Sequence, residues 1–64
     1  MKGVHEGLNP ANQQAEQISH KLKMETFVTK ENIGGLRYVV YDNKEKIPTT
    51  AKIISHYVNG DKKK

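Results

Sequence analysis

The apolar positions fall into groups separated by polar or glycine-containing stretches, and the spacing changes from group to group. In "NPANQQAEQISHKLKM", Ala11, Ala15, Ile18 and Leu22 recur at intervals of 4, 3 and 4 with polar residues between them. That interval draws one narrow apolar stripe down a helix. Asn9 is a good N-cap, and Pro10 suits the first helical position, where its missing N–H is not needed. Lys21 and Lys23 fall where the helix dipole favours cations. The pattern predicts a helix over 10–24.

The next groups have the shorter period of strands. "TFVTK" (26–30) is β-branched and aromatic. "LRYVVYD" (36–42) alternates, with Leu36, Tyr38 and Val40 on one face and Arg37, Val39 and Tyr41 on the other. "ENIGG" between them is a turn in which Gly34 and Gly35 can take positive φ. "DNKEK" (42–46) has hairpin-turn composition, and 45–47 can return as a short third strand that ends at Pro48. In "TTAKIISHYVNG", Ala51, Ile54, Tyr57 and Val58, joined by Ile53, predict a second helix. Thr49 or Thr50 would cap it and Gly60 would stop it.

The expected architecture is therefore α+β in the order α-β-β-(β)-α. A small two- or three-stranded antiparallel sheet is flanked by an N-terminal and a C-terminal helix. Residues 1–8 read as a flexible arm, 9–60 as a single mini-domain and 61–64 as a basic disordered tail. The order of a helix, "LKM", a hairpin with "VVYD", "KIP" and a final helix is similar to that of the FlaG-type flagellar family. The Thr-Gly-Glu turn that precedes Ile-Pro there is missing here, and no residue is carried over from it. The ending Ser55 to Gly60 is similar to the recognition helices of some helix-turn-helix repressors, but its apolar face is broad for a helix in a DNA groove.

Composition narrows the chemistry. The chain has 64 residues, and one this short buries only about 60% of its unfolded surface. It contains no cysteine, which excludes disulfides and thiolate metal sites and suits a reducing, cytoplasmic setting. No apolar run reaches the ~20 residues of a membrane-spanning helix, and the first ten residues lack the apolar segment of a signal peptide. The net charge is +4, with three of the 11 Lys+Arg and one of the seven Asp+Glu in the last four residues. The remaining 60 residues thus hold 8 basic against 6 acidic side chains (11 − 3 and 7 − 1), short of the dense basic stripe of dedicated nucleic-acid binders.

Ile-Ser-His occurs twice, at 18–20 and 54–56. Adjacent helical residues do not face each other, so neither Ser19–His20 nor Ser55–His56 forms a dyad, and no nucleophile elbow or oxyanion loop accompanies them. His5, His20 and His56 lack the close pairing of zinc ligands. Neither a phosphate-binding loop nor a dinucleotide fingerprint is present. The expectation is a non-enzymatic protein with no cofactor and no metal.

Function then belongs to a surface. With both helices on one sheet face, the other face would display Arg37, Val39 and Tyr41, with Phe27 or Val28 from the neighbouring strand; with one helix on each face, nothing apolar would remain exposed. Such a patch suits a protein partner or a second copy of the chain. The expected role is a small regulatory or adaptor module. In the alternative, the module binds nucleic acid: Arg37, Tyr41 and Phe27 stack on bases while Lys44, Lys46, Lys62, Lys63 and Lys64 meet phosphates.

Overall fold

The computed structural model describes residues 3–63. Its elements are β1 (Gly3–His5), α1 (Leu8–Leu22), β2 (Glu25–Asn32), β3 (Leu36–Tyr41), β4 (Lys52–Val58) and β5 (Asp61–Lys63), with a 3-10 turn at Lys44–Lys46. The strands form one sheet in the order β1-β3-β2-β4-β5 with every neighbour antiparallel. The expectation of a sheet flanked by two terminal helices is thus overturned. Among the described residues, a single helix packs on a five-stranded sheet, and the segment read as a C-terminal helix is strand β4.

The physical cause of that misreading is a β-bulge. Val28 faces Ser55 and Thr29 faces Ile53, so Ile54 is an extra residue in β4. The bulge puts two isoleucines side by side and breaks strict alternation. The resulting spacing of Ile53, Ile54, Tyr57 and Val58 imitates a helical face. The β-branched content of "KIIS" and the aromatic that follows suit a pleated strand better than a helix. Asn59 and Gly60, which resembled a helix end, form the two-residue turn into β5. Both have positive φ, 52° and 88°, as a type I′ hairpin requires. With 52–58 extended, neither the flagellar-type order nor the recognition-helix ending survives.

Three shorter segments also differ from expectation. Residues 3–5, read as arm, pair with β3 through Gly3–Val40, Val4–Val39 and His5–Tyr38. Residues 61–63, read as tail, pair with β4 through Asp61–Val58, Lys62–Tyr57 and Lys63–His56; Lys64 lies outside the described residues. The short strand expected at 45–47 is instead the 3-10 turn, in which the Asn43 side chain accepts a hydrogen bond from Glu45 N at 2.9 Å. The β2–β3 hairpin is as predicted, with Gly34 and Gly35 at its tip in positive φ.

The helix runs two residues earlier than its pattern suggested. Gly7 is the N-cap, and Pro10 sits in the first turn, where an N–H has no helical acceptor. Lys23 closes the other end in the left-handed conformation, with its N–H on the Ser19 carbonyl. Ala11 and Ala15 are fully buried over Val28, Val40 and Tyr57, with Ile18, Tyr38 and Ile54 around them. Alanine at both contact positions lets the helix lie close to the sheet. The lower stripe turns onto Ser19, which is fully buried, while Leu22 is 55% exposed. The Ser19 hydroxyl donates to the Met24 carbonyl at 2.8 Å and accepts from Gly60 N at 2.9 Å. It therefore ties the helix end to the β4–β5 turn.

The two halves of the helix stripe should separate on mutation. Val40→Ala opens a cavity under Ala11 and Ala15 and should cost about 2–3 kcal/mol. Leu22→Ala, in the expected core but exposed, should change stability by less than about 0.5 kcal/mol. Urea denaturation of the two variants checks this. Equal losses would mean that the helix is rotated from the orientation described.

Candidate functional site

The four residues expected to form a partner-binding patch do share one face of the sheet, opposite the helix. Phe27, Val39 and Tyr41 are nevertheless buried there, Val39 completely. The 42–51 segment folds back across this face and places Ile47 on the three of them. Arg37 is half-buried beside them. Its Nη1 donates to the Leu36 carbonyl at 2.9 Å, and its Nη2 lies 3.7 Å from the Glu6 carboxylate. The face is a second, smaller core, so its aromatic rings offer no open surface to a base or to a protein.

Glu31 supplies the polar lock of this layer. One carboxylate oxygen accepts from both Thr29 Oγ1 and Tyr41 OH, each at 2.7 Å. Burial, then the hydrogen bond to Glu31 and its negative charge, push the Tyr41 phenol up to about 12. Burial, followed by the charge of Glu16, also raises Tyr57. At the rim His56 stacks on Phe27 with ring centroids 4.6 Å apart and an angle of 11°. His56 Nε2 is 2.8 Å from a Glu25 carboxylate oxygen. His20 lies on the exposed side of α1, so the two Ile-Ser-His copies do different jobs.

The basic residues expected to meet nucleic acid are spread over the molecule. Lys44 and Lys46 are exposed in the 3-10 turn, and Lys62 and Lys63 are exposed on β5. Lys44 borders a groove of about 410 Å³ with Met24, Glu25, Phe27, Asp42 and Asn43. Glu25 Oε2 and Asn43 Oδ1 in this groove are already engaged by His56 and Glu45 N. Among the described residues, no group of three or more His, Asp or Glu side chains is placed to hold a metal ion, and no helix is long and apolar enough to cross a membrane.

One uncovered stretch of strand edge is the outer side of β4 at Lys52–Ile54. β5 pairs only with His56, Tyr57 and Val58, and no described strand covers Lys52–Ile54. Ile53 is 41% exposed there. Beside it lies a groove of about 190 Å³ lined by Ile53, Ile54, Ser55, His56 and Lys63. This is below the ~300–1,000 Å³ of small-molecule pockets, and it suits one or two side chains. Lys52 stands directly opposite Lys30 on β2, with Tyr38 next in the same row. Like charges at a cross-strand pair repel, and neither lysine has an acidic partner among the described residues. The bulge sets this pair: strict alternation along 52–58 would put Lys52 on the face of His56, and a helix at 51–58 removes the pairing altogether.

Comparison of the chain with protein-family models, with curated proteins and with solved structures returned no match. The geometry of the chain alone carries the functional reading.

The Glu31–Tyr41 contact has a testable pH signature. Below pH 10 the phenol is neutral in folded and unfolded chains alike, and its contribution to stability is complete. Between pH 10 and about 12 the unfolded chain releases this proton first, so stability falls as pH rises. Tyr41→Phe should lose about 1 kcal/mol at neutral pH, the net worth of one hydrogen bond. It should also show a shallower alkaline decline, with the share of Tyr57 remaining. Denaturation midpoints measured across this range decide it; parallel curves for parent and variant would remove the contact.

Proposed function

We propose that the protein is a non-enzymatic adaptor or regulatory module, working in the cytoplasm, that captures a short extended segment of another protein along the outer edge of β4. The observation that carries this reading is the uncovered stretch Lys52–Ile54, where open strand edge, exposed Ile53 and the unbalanced Lys30–Lys52 pair coincide. A strand laid on this edge gains main-chain hydrogen bonds, and its side chains alternate between faces. On the helix side it meets Lys52, so an acidic residue fits. On the opposite side it meets Ile53 and the small groove, so an aliphatic residue fits. The occupant is therefore a short acidic-aliphatic segment.

The bulge at Ile54 supports a foreign segment over a second copy. Bulges twist an edge away from flat strand-to-strand pairing and limit its usable length. Two copies joined edge to edge would need a longer regular run than Lys52–Ile54 provides. Nucleic acid is the less favoured occupant, because Phe27 and Tyr41 are enclosed and Lys44, Lys46, Lys62 and Lys63 do not converge.

Titration of the labelled protein with a peptide alternating Glu and Val, followed by NMR, tests the assignment. Amide shifts should centre on Lys52–Ile54. Affinity should fall severalfold in Lys52→Glu, drop further in Ile53→Asp and weaken with added salt. A Lys-Val peptide should leave these amides unmoved. Shifts centred elsewhere, or none with the acidic peptide, would overturn the proposal. Concentration-dependent shifts of the protein alone at this edge would assign it to self-association. Saturable oligonucleotide binding lost in Lys30→Glu would assign it to nucleic acid.

A further inference from the structure

Asn59–Gly60 is the single Asn-Gly pair in the chain, and the fold leaves little freedom to replace it. The turn needs positive φ at both positions, 52° and 88°, which Asn and Gly accept more readily than other residues. Gly60 also lies against the helix. A Cβ added there would come within 2.9 Å of His20 Cβ and 3.1 Å of His20 Nδ1. The hairpin therefore keeps the dipeptide in which the backbone nitrogen after asparagine is least shielded by a side chain.

That nitrogen is held in an unusual way. Gly60 N–H donates to Ser19 Oγ at 2.9 Å, across 41 positions of sequence. Ser19 is completely buried, and its own proton is committed to the Met24 carbonyl at 2.8 Å. The hydroxyl is thus oriented with a lone pair toward Gly60. Asn59 itself is exposed, and its side chain is open to water.

We propose that Asn59 is a deamidation site whose rate is set by the Ser19 hydroxyl. In the reaction Gly60 N loses its proton and bonds to the side-chain carbonyl carbon of Asn59. The bond from that carbon to the amide nitrogen breaks, and ammonia leaves. Water then opens the five-membered imide at either carbonyl, giving an aspartate or an isoaspartate at position 59. While Gly60 N–H is bonded to Ser19, its nitrogen is neither free nor able to turn toward the Asn59 side chain. Parting of the β4–β5 turn from the end of α1 releases it. The isoaspartate product adds a backbone atom to a two-residue turn that aligns Val58 with Asp61. Since β5 is held to β4 through three described residues, the product loses the β5 register and frees the rest of the β4 edge.

The test compares the folded parent, the folded Ser19→Ala variant and a synthetic peptide spanning residues 54–63 in warm, mildly alkaline buffer. Amide-to-acid conversion at Asn59 is followed by peptide mapping, and isoaspartate by enzymatic methylation. The parent should be slowest and the peptide fastest. Ser19→Ala should convert about fivefold faster than the parent, the factor one neutral hydrogen bond contributes. A parent that converts as fast as the peptide, or a folded Ser19→Ala that matches the parent, overturns the proposal. If Ser19→Ala does not fold, hydrogen exchange of the Gly60 amide in the parent decides. Protection supports the lock, and exchange at the rate of a free amide removes it.

Discussion

Burial of β2 on both faces is the constraint from which the rest of the structure follows. It is the central strand, and Thr26, Phe27, Val28 and Thr29 are all buried in succession. Thr26 and Val28 face the helix, and Phe27 and Thr29 face the 42–51 segment. Neither cover can be removed without exposing half of the strand. The two threonines bring hydroxyls into this setting, and an unpaired buried hydroxyl is costly. Thr26 donates to the Ala15 carbonyl at 2.7 Å, and Thr29 donates to Glu31. The strand therefore needs the helix and the second layer for its polar atoms as well as its apolar ones.

Small size explains why so many of these ties are polar. A chain of 64 residues has a core worth about 3–5 kcal/mol net and needs additional fixing. Among the described residues, no large side chain is wholly enclosed beyond valines and threonines. Single hydrogen bonds join elements instead. His5 meets Gln14 at 2.6 Å between β1 and α1, Ser19 meets Gly60 between α1 and the last turn, and Tyr41 meets Glu31 between β3 and β2. Each is specific in direction, so each fixes orientation more than it adds stability.

The legible part of the fold was the part with an uninterrupted period. Ala11, Ala15 and Ile18 announced the helix, and the alternation in 36–41 with glycines before it announced the β2–β3 hairpin. Sequence also placed Val39 and Tyr41 on one face but left Phe27 and Val28 as alternatives beside them; Phe27 lies there and Val28 faces the helix. Sequence did not show that this face is closed, because Ile47 reaches it from a segment with no periodicity. Strand β4 was hidden by one extra residue, and β1 and β5 were hidden because three-residue strands carry too few positions to show a pattern. The candidate edge disappeared with β4: Lys30 and Lys52 become neighbours only when 52–58 is paired in register with β2.

The extra residue in β4 also governs how the sheet can be mispaired. A strictly alternating strand can slide by two positions and still send its apolar side chains to the same face. β4 cannot slide in that way. Moving it by two would carry Ile54 away from the gap between Val28 and Thr29 and force an ordinary residue to bulge there. It would also drag Asn59 and Gly60 out of the turn and away from Ser19. The bulge works as an index mark on the strand, and the native alignment of β4 on β2 is the one in which mark, turn and helix end coincide.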